Sequence, residues 1–547
     1  MSGTGERTFA KLLRTAAASF GPRDAIIFPN SRLTYGQLEA RARRWAKAII
    51  AMGIQPGQNV GILLTTRVEF IELLFGITMT GAVAVPINAR YQAHELAFLV
   101  KDADLVALFT TGKVADSLNF GERLRAALPS LEQAADKNRL ALDEAPLLRR
   151  VMCLDPPCAP HLVAGADSLA EGDGVADAVL EARIDAVEPA DIAFILYTSG
   201  TTANPKGALI SHGAQIGNSR SLGVRYEATA ADKVWSPRPI FHIAGILPMT
   251  MILDLGGAYM TVPHFDAGVA IDMLGREGAT IAYPSFVTIM QDLISHTSFA
   301  SVDLSKLRVM NSNFAVLPDW IRDAVCAAVP HTIQVSTYGL TEAAGTVTTS
   351  RLGDPWSLRT SRCGVPLDDW SVRIVDLETG MDCALGLRGE IVIRGPGMLS
   401  GYYNAPEKTA EVMRDGWFHT GDIGSFDETG HIMFHGRTKD MLKVGGENVA
   451  AVEIESMLQS HPAVKLAQVV GIPDDRYAEV PAAFVELAEG ATATETELID
   501  HCRGKLASFK LPRHVRMVDS WPMSTSKIQK FKLRGELIDE LQQGIPS

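Results

Sequence analysis

No stretch of this chain stays apolar long enough to cross a bilayer, which takes about 20 residues of helix. The nearest, ILPMTMIL at residues 246–253, is stopped by Asp254. The opening MSGTGERTFAKLLRTAAASFG is charged and lacks the apolar centre of a secretory signal. Cysteine is scarce. The six are Cys153, Cys158, Cys326, Cys363, Cys383 and Cys502, in 547 residues. Only Cys153 and Cys158 lie close together, with His161 just beyond, and no second ligand pair follows at zinc spacing. Cysteines scattered through a chain this long point to a reducing compartment. Positive charge is short too: 51 Lys and Arg against 63 Asp and Glu give a net charge of −12. Bulk nucleic-acid binding is therefore disfavoured, and an anionic ligand must be held by local cations. There is no G-x-G-x-x-G for a dinucleotide, since GPGMLSG at residues 395–401 has the wrong spacing. Repeats and heptads are absent. The expectation is a soluble, cytoplasmic protein with no membrane span and no nucleic-acid partner; a homodimer is one assembly compatible with the chain.

What is present is core-forming material. Hydrophobic residues make up 47% of the chain, and 547 residues exceed one ordinary core, so at least two domains are expected. LTYGQLEARARRWAKAIIAMG, at residues 33–53, carries apolar residues at helical spacing and ends on Gly. NVGILL and AVAVPIN read as strands with the helical VEFIELLFGITMTG between them, an order that implies a parallel sheet with right-handed crossovers. Residues 154–189 lose this pattern and read as a surface connection. From about Trp370 the segments WSVRIVD, GEIVIRG and HIMFHGR sit close together with Gly-rich turns, as in antiparallel structure. A small α+β unit follows Arg437.

After the apolar run IAFIL comes YTSGTTANPKG, at residues 197–207. Hydroxyls and backbone N–H groups there can donate to phosphate oxygens, Gly lets backbone approach closely, and Lys206 adds a point charge. It is not the Walker pattern: the lysine precedes its glycine, and no Ser or Thr follows to hold magnesium. A polar surface loop is the alternative on this stretch alone.

Further motifs follow in order: FHIAG (241–245), YGLTE (338–342), GWFHTGD (416–422), GRTKDMLKVGGENV (436–449) and PMSTSKIQK (522–530). Together with YTSGTTANPKG they resemble the adenylate-forming superfamily of acyl-CoA synthetases, luciferases and peptide-synthetase adenylation domains, over nearly the whole chain. The resemblance implies an α/β fold. A large N-terminal domain of parallel and mixed sheets with helices and a distorted β-barrel would occupy residues 1–436. A hinge would span 437–440, and a small mobile α+β domain 441–547. It implies an AMP-forming ligase that activates a carboxylic acid with ATP and passes the acyl group to coenzyme A, with Mg²⁺ as cofactor.

The same resemblance assigns residues. Thr198, Ser199, Gly200, Thr201, Thr202 and Lys206 would hold the β- and γ-phosphates. Glu342 would bind Mg²⁺, with Thr201 as a second metal contact. Tyr338 would stack on adenine beside Gly339, Asn313 and Ala315, and Thr341 would touch the α-phosphate. Asp422 and Arg437 would hold the ribose. Lys527 would bridge carboxylate and α-phosphate; the residue before it is Ser526, where the family has Gly. Lys439 would be the hinge, and Lys443, Gly445 and Gly446 would meet the pantetheine. His242 would gate the acyl pocket, with Ile243, Tyr283, Phe286 and Phe314 as walls for a hydrophobic acid. Loading of a carrier protein, a luciferase-like oxygenase, a phosphotransferase and a non-catalytic acyl- or nucleotide-binding protein remain as other readings.

Overall fold

A computed structural model describes residues 7–542 apart from 116–117, 156–157, 199–204, 285–286, 314–318, 445–446, 475–476 and 525–526. The expected helix forms as Tyr35–Ala51, begun by a capping box between Thr34 and Gln37. It buries Leu38, Ala42, Trp45 and Ile49 against Val68–Met79. Gly76 makes that approach possible, since a Cβ there would stand 2.8 Å from the Trp45 Cβ. Strands Asn59–Leu63 and Val83–Pro86 pair in parallel, as expected. They belong to a seven-stranded sheet with Leu105–Thr110, Arg150–Cys153 and Val163–Ala164 on one side and Ile192–Thr198 and Lys206–Ser211 on the other.

A second sheet, of nine strands, has a parallel centre from Asp24–Phe28 to Ile333–Leu340, with antiparallel strands at its ends. Ile26, Val234, Tyr259, Ile281 and Val309 of this sheet share one large core with the first, while Ile27, Trp235, Met260, Ala282 and Met310 belong to a second core. The segments after Trp370 form the expected antiparallel layer, a curled half-barrel of Ser371–Val375, Gly389–Arg394, Met413–Arg414, Trp417–Phe426 and Ile432–Arg437. Beyond it, Val464–Asp474 and Ala478–Leu487 pair antiparallel and His514–Met517 joins in parallel. Helices Ala451–Gln459, Glu495–Cys502 and Lys530–Gln542 pack around this small sheet, which has hydrophobic cores of its own.

Residues 154–189 correct the sequence reading. They hold two helices, Gly165–Gly172 and Asp177–Ala186. The first packs on Tyr35–Ala51 so closely that a Cβ on Gly172 would lie 2.6 Å from the Ala48 nitrogen. The second is tied down by Arg43–Glu181 (2.7 Å) and Lys47–Asp177 (2.9 Å). Alanine-rich helix of this kind has high intrinsic propensity but buries few apolar side chains, so its periodicity is faint. Among the described residues, no helix is long and apolar enough to cross a membrane.

Candidate active site

The strand Ile192–Thr198 runs past IAFIL through Tyr197 and Thr198, and turns back as Lys206–Ser211. Thr198 thus sits opposite Lys206 in an antiparallel pair. Ser199, Gly200, Thr201 and Thr202, which come between them in the sequence, lie outside the described residues. Tyr197 anchors the strand by donating to Asp102 Oδ2 at 2.6 Å. The outer strand is clasped in turn by the segment after Leu399. Leu209 N donates to Gly401 O (2.9 Å), Ser400 N to Leu209 O (2.8 Å) and Tyr403 N to Gly207 O (2.8 Å).

That clasp carries Tyr402 into the site. Its hydroxyl donates to Glu342 Oε1 at 2.9 Å, and the Lys206 ammonium lies over its ring, 5.2 Å from the centroid. Glu342 sits in the single 3-10 turn Thr341–Ala343 that ends the strand Ile333–Leu340. The chain reverses there through Ala344, at φ 50°, and Gly345. Gly339 is required by the same reversal, because a Cβ would meet the Gly345 carbonyl oxygen at 2.1 Å. Asn218 fixes the turn from below, donating to Ala343 O (3.1 Å) and Ala344 O (3.2 Å) and accepting from Trp370 Nε1 (2.9 Å).

On the other side of Glu342 lies a second polar pair. Asp422 and Arg437 face each other across antiparallel strands, with Arg437 Nε 2.9 Å from Asp422 Oδ1. The buried Tyr338 hydroxyl donates to Asp422 Oδ2 at 2.7 Å. Burial alone would lower the Arg437 guanidinium, but Asp422 and then Glu342 outweigh it and hold it above its ordinary value. Arg437 therefore feels both carboxylates. Burial, reinforced by Asp422, raises the Tyr338 phenol far above its ordinary value, so it stays a donor. Lys206 and Glu342 meet on Tyr402, and Arg437 and Tyr338 meet on Asp422.

Against this geometry, the family model described as AMP-binding enzyme matches residues 13–403, and the model of the AMP-binding enzyme C-terminal domain matches residues 453–527. The chain belongs to the AMP-binding enzyme family. Its similarity extends to curated proteins. The putative acyl-CoA synthetase YngI of Bacillus subtilis is 33% identical over 97% of both chains. The mitochondrial medium-chain acyl-CoA ligase ACSF2 of Rattus norvegicus is 31% identical over 98% of this chain and 88% of its own. Among solved structures, ATP-bound MatB of Rhodopseudomonas palustris superposes with a TM-score of 0.80 at 28% identity, covering 97% of this chain and 99% of that one. Asp422 and Arg437 fall between the two family matches, so their partnership rests on the structure.

Within this AMP-binding enzyme, His242 immediately precedes the helix Ile243–Leu255, without a side-chain capping bond to it, and its ring lies 4.8 Å from that of Phe241. Gly245 is needed there, since a Cβ would meet the Pro239 carbonyl oxygen at 2.5 Å. Ile243 is buried at the first turn. Tyr283 is fully buried, and the Arg238 guanidinium stacks 5.1 Å from its centroid. Arg238, which the motifs did not single out, donates to Ala244 O at 3.3 Å and is lowered to about 10 by burial, which outweighs the opposing effect of Tyr283. Asn313 ends the strand Val309–Asn313. Phe286, Phe314, Ala315, Gly445, Gly446 and Ser526 lie outside the described residues. Lys439 lies in the turn Thr438–Asp440, Lys443 on Met441–Val444, and Lys527 on the short hairpin of Met523–Ser524 with Lys527–Ile528; their backbones are described.

The donor set suits magnesium. Among the described residues no cluster of three His, Cys, Asp or Glu could hold a metal alone. Glu342 offers one carboxylate, with Oε1 held by a neutral hydroxyl and no ion pair among the described residues. A hard cation that takes one protein carboxylate together with phosphate oxygens and water fits such a position. Tyr402 and Asn218 were missed by sequence reasoning. The only signal for Tyr402 is the tyrosine pair after Gly401 in LSGYYN.

Proposed function

We infer that the protein is an AMP-forming acid–thiol ligase: it joins a carboxylic acid to ATP as an acyl-adenylate and transfers the acyl group to coenzyme A. The observation that carries this is the pair of polar groups, Lys206 and Glu342 on Tyr402 and Arg437 and Tyr338 on Asp422. One offers the Lys206 cation, paired across the strands with Thr198 and following a hydroxyl-rich stretch of sequence, as a triphosphate needs. The other offers Asp422, an acceptor suited to sugar hydroxyls, with Arg437 as donor and the Tyr338 ring beside it. Carboxylate oxygen attacks the α-phosphorus and pyrophosphate leaves; thiol sulfur then attacks the acyl carbon and AMP leaves. The first step brings two anions together, so preorganised cations lower its barrier. Lys206 would hold the β- and γ-phosphates with Thr198, Ser199, Gly200, Thr201 and Thr202. Lys527 would bridge carboxylate and α-phosphate. Glu342 would hold Mg²⁺, which when bound supplies further neutralisation of the triphosphate.

The acid is proposed to be hydrophobic. His242, Ile243, Tyr283, Phe286 and Phe314 are its proposed walls, and the ACSF2 relative is named for medium-chain acids. Residues 437–440 are the proposed pivot, because Arg437 ends the half-barrel and the small sheet starts at Met441. The six cysteines all stand free, in keeping with a cytoplasmic setting.

The test is pyrophosphate and AMP release from ATP and Mg²⁺ with a panel of carboxylic acids, with and without coenzyme A. Coenzyme A-dependent turnover with an apolar acid is expected. ADP as product would overturn the ligase. A single turnover indifferent to coenzyme A would move the acceptor to a carrier protein.

A further inference from the structure

We propose that Tyr402 is a positioning residue for adenylation, a spacer that keeps Lys206 and Glu342 from neutralising each other and turns both toward the nucleotide. This rests on the ligase reading above. A lysine and a glutamate that approach one active site from neighbouring elements have an obvious alternative to binding ligand: each other. Here both meet the same tyrosine instead. Its face receives the Lys206 ammonium at 5.2 Å, and its hydroxyl donates to Glu342 Oε1 at 2.9 Å. The ring face attracts the cation without cancelling its charge. The hydroxyl is a neutral donor, so Glu342 is oriented while keeping its full negative charge and its second oxygen for a cation.

Tyr402 can act this way because it is itself fixed. It is 7% exposed. Its backbone N–H donates to Thr409 Oγ1 at 2.8 Å, and its carbonyl accepts from Ala405 N at 3.2 Å. It bridges to Ala208, two residues beyond Lys206, so lysine and ring stand on paired backbone. Leu399 N donates to the Glu342 carbonyl at 2.8 Å, which ties the carboxylate's own backbone to the same segment.

Two substitutions separate the two contacts. Tyr402→Phe keeps the ring under Lys206 and removes the hydroxyl; Tyr402→Ala removes both and frees Lys206 to pair with Glu342. ATP binding is measured by calorimetry on the full chain, once with Mg²⁺ and once with chelator. Tyr402→Phe is expected to leave the chelator affinity within about twofold and to cut the Mg²⁺-dependent gain about tenfold, the effect of one lost charge-assisted hydrogen bond. Tyr402→Ala is expected to weaken ATP about tenfold even in chelator, as the lysine is withdrawn. Thioester formation from supplied acyl-adenylate is expected to survive both. A Tyr402→Phe protein with the parent's Mg²⁺ gain, or with equal losses in Mg²⁺ and chelator, overturns the proposal alone. A parent protein with no ATP binding in either condition overturns the ligase reading and the proposal together.

Discussion

A carboxylate attacking a triphosphate is an anion approaching an anion, so at the scale of the residue single cations decide the first half-reaction. Lys527 is the cation expected at the α-phosphate. Its backbone pairs with that of Ser524. Lys527→Ala should abolish acyl-adenylate formation, by at least about 100-fold if it stabilises developing charge as such groups do. It should spare thioester formation from supplied acyl-adenylate. Rapid-quench assays of the two half-reactions check this, and equal loss in both would refute the division of labour. Residues of this kind can be proposed from the sequence because their motifs single them out. Tyr402 was not, because its meaning lies in contacts with Glu342, 60 positions away in the chain, and with Lys206. Arg238 escaped for a similar reason: an arginine between two prolines reads as surface until its burial is seen.

Elements carry these residues, and the turn Thr341–Ala343 shows how narrowly. Two carbonyls of the turn region, Ala343 O and Ala344 O, depend on the buried amide of Asn218, which also satisfies Trp370. Asn218→Ala leaves these groups buried without that partner, at about 1–3 kcal/mol each for groups that find no water. We expect a lower Tm and a raised KM for ATP, with the KM for the acid changed much less. Steady-state titrations of each substrate beside a thermal melt measure the difference. The strands and the amphipathic Tyr35–Ala51 helix were legible from periodicity, because burial imposes period 2 or 3.6 on the sequence. The helices within 154–189 were not. Asp177–Ala186 buries only Leu180 and Ile184, so its pattern is mostly alanine and charge, held by ion pairs that leave no periodic trace.

The whole molecule has its own weak point in acid. His212 lies where the N-terminal helix Phe9–Phe20 meets the large core, and its Nδ1 accepts the Phe9 N–H at 3.1 Å. Phe9 also packs on Phe194 at 5.0 Å and Phe75 at 5.8 Å. Burial pushes the His212 imidazole from 6.5 down to about 3. A depressed histidine takes its proton in the unfolded chain first. The unfolded state therefore binds more protons as pH falls below about 6.5, and stability drops until the folded value is reached. One such group contributes at most about 1.4 kcal/mol per pH unit. His212→Asn keeps an acceptor for Phe9 and cannot be protonated there. It should lower stability at neutral pH yet flatten the decline between pH 7 and 4, as chemical denaturation at several pH values would read; an unchanged slope would clear His212.

The same scale gives the Leu399–Tyr403 clasp another significance. Lys206–Ser211 is the outermost strand of a seven-stranded sheet, and an outermost strand is a template for any passing chain. By lying along it, the segment that brings Tyr402 to the site also caps that template. Evolution therefore cannot loosen this stretch to tune catalysis without uncovering a surface on which molecules would stack into aggregates, so solubility guards the geometry of the active site.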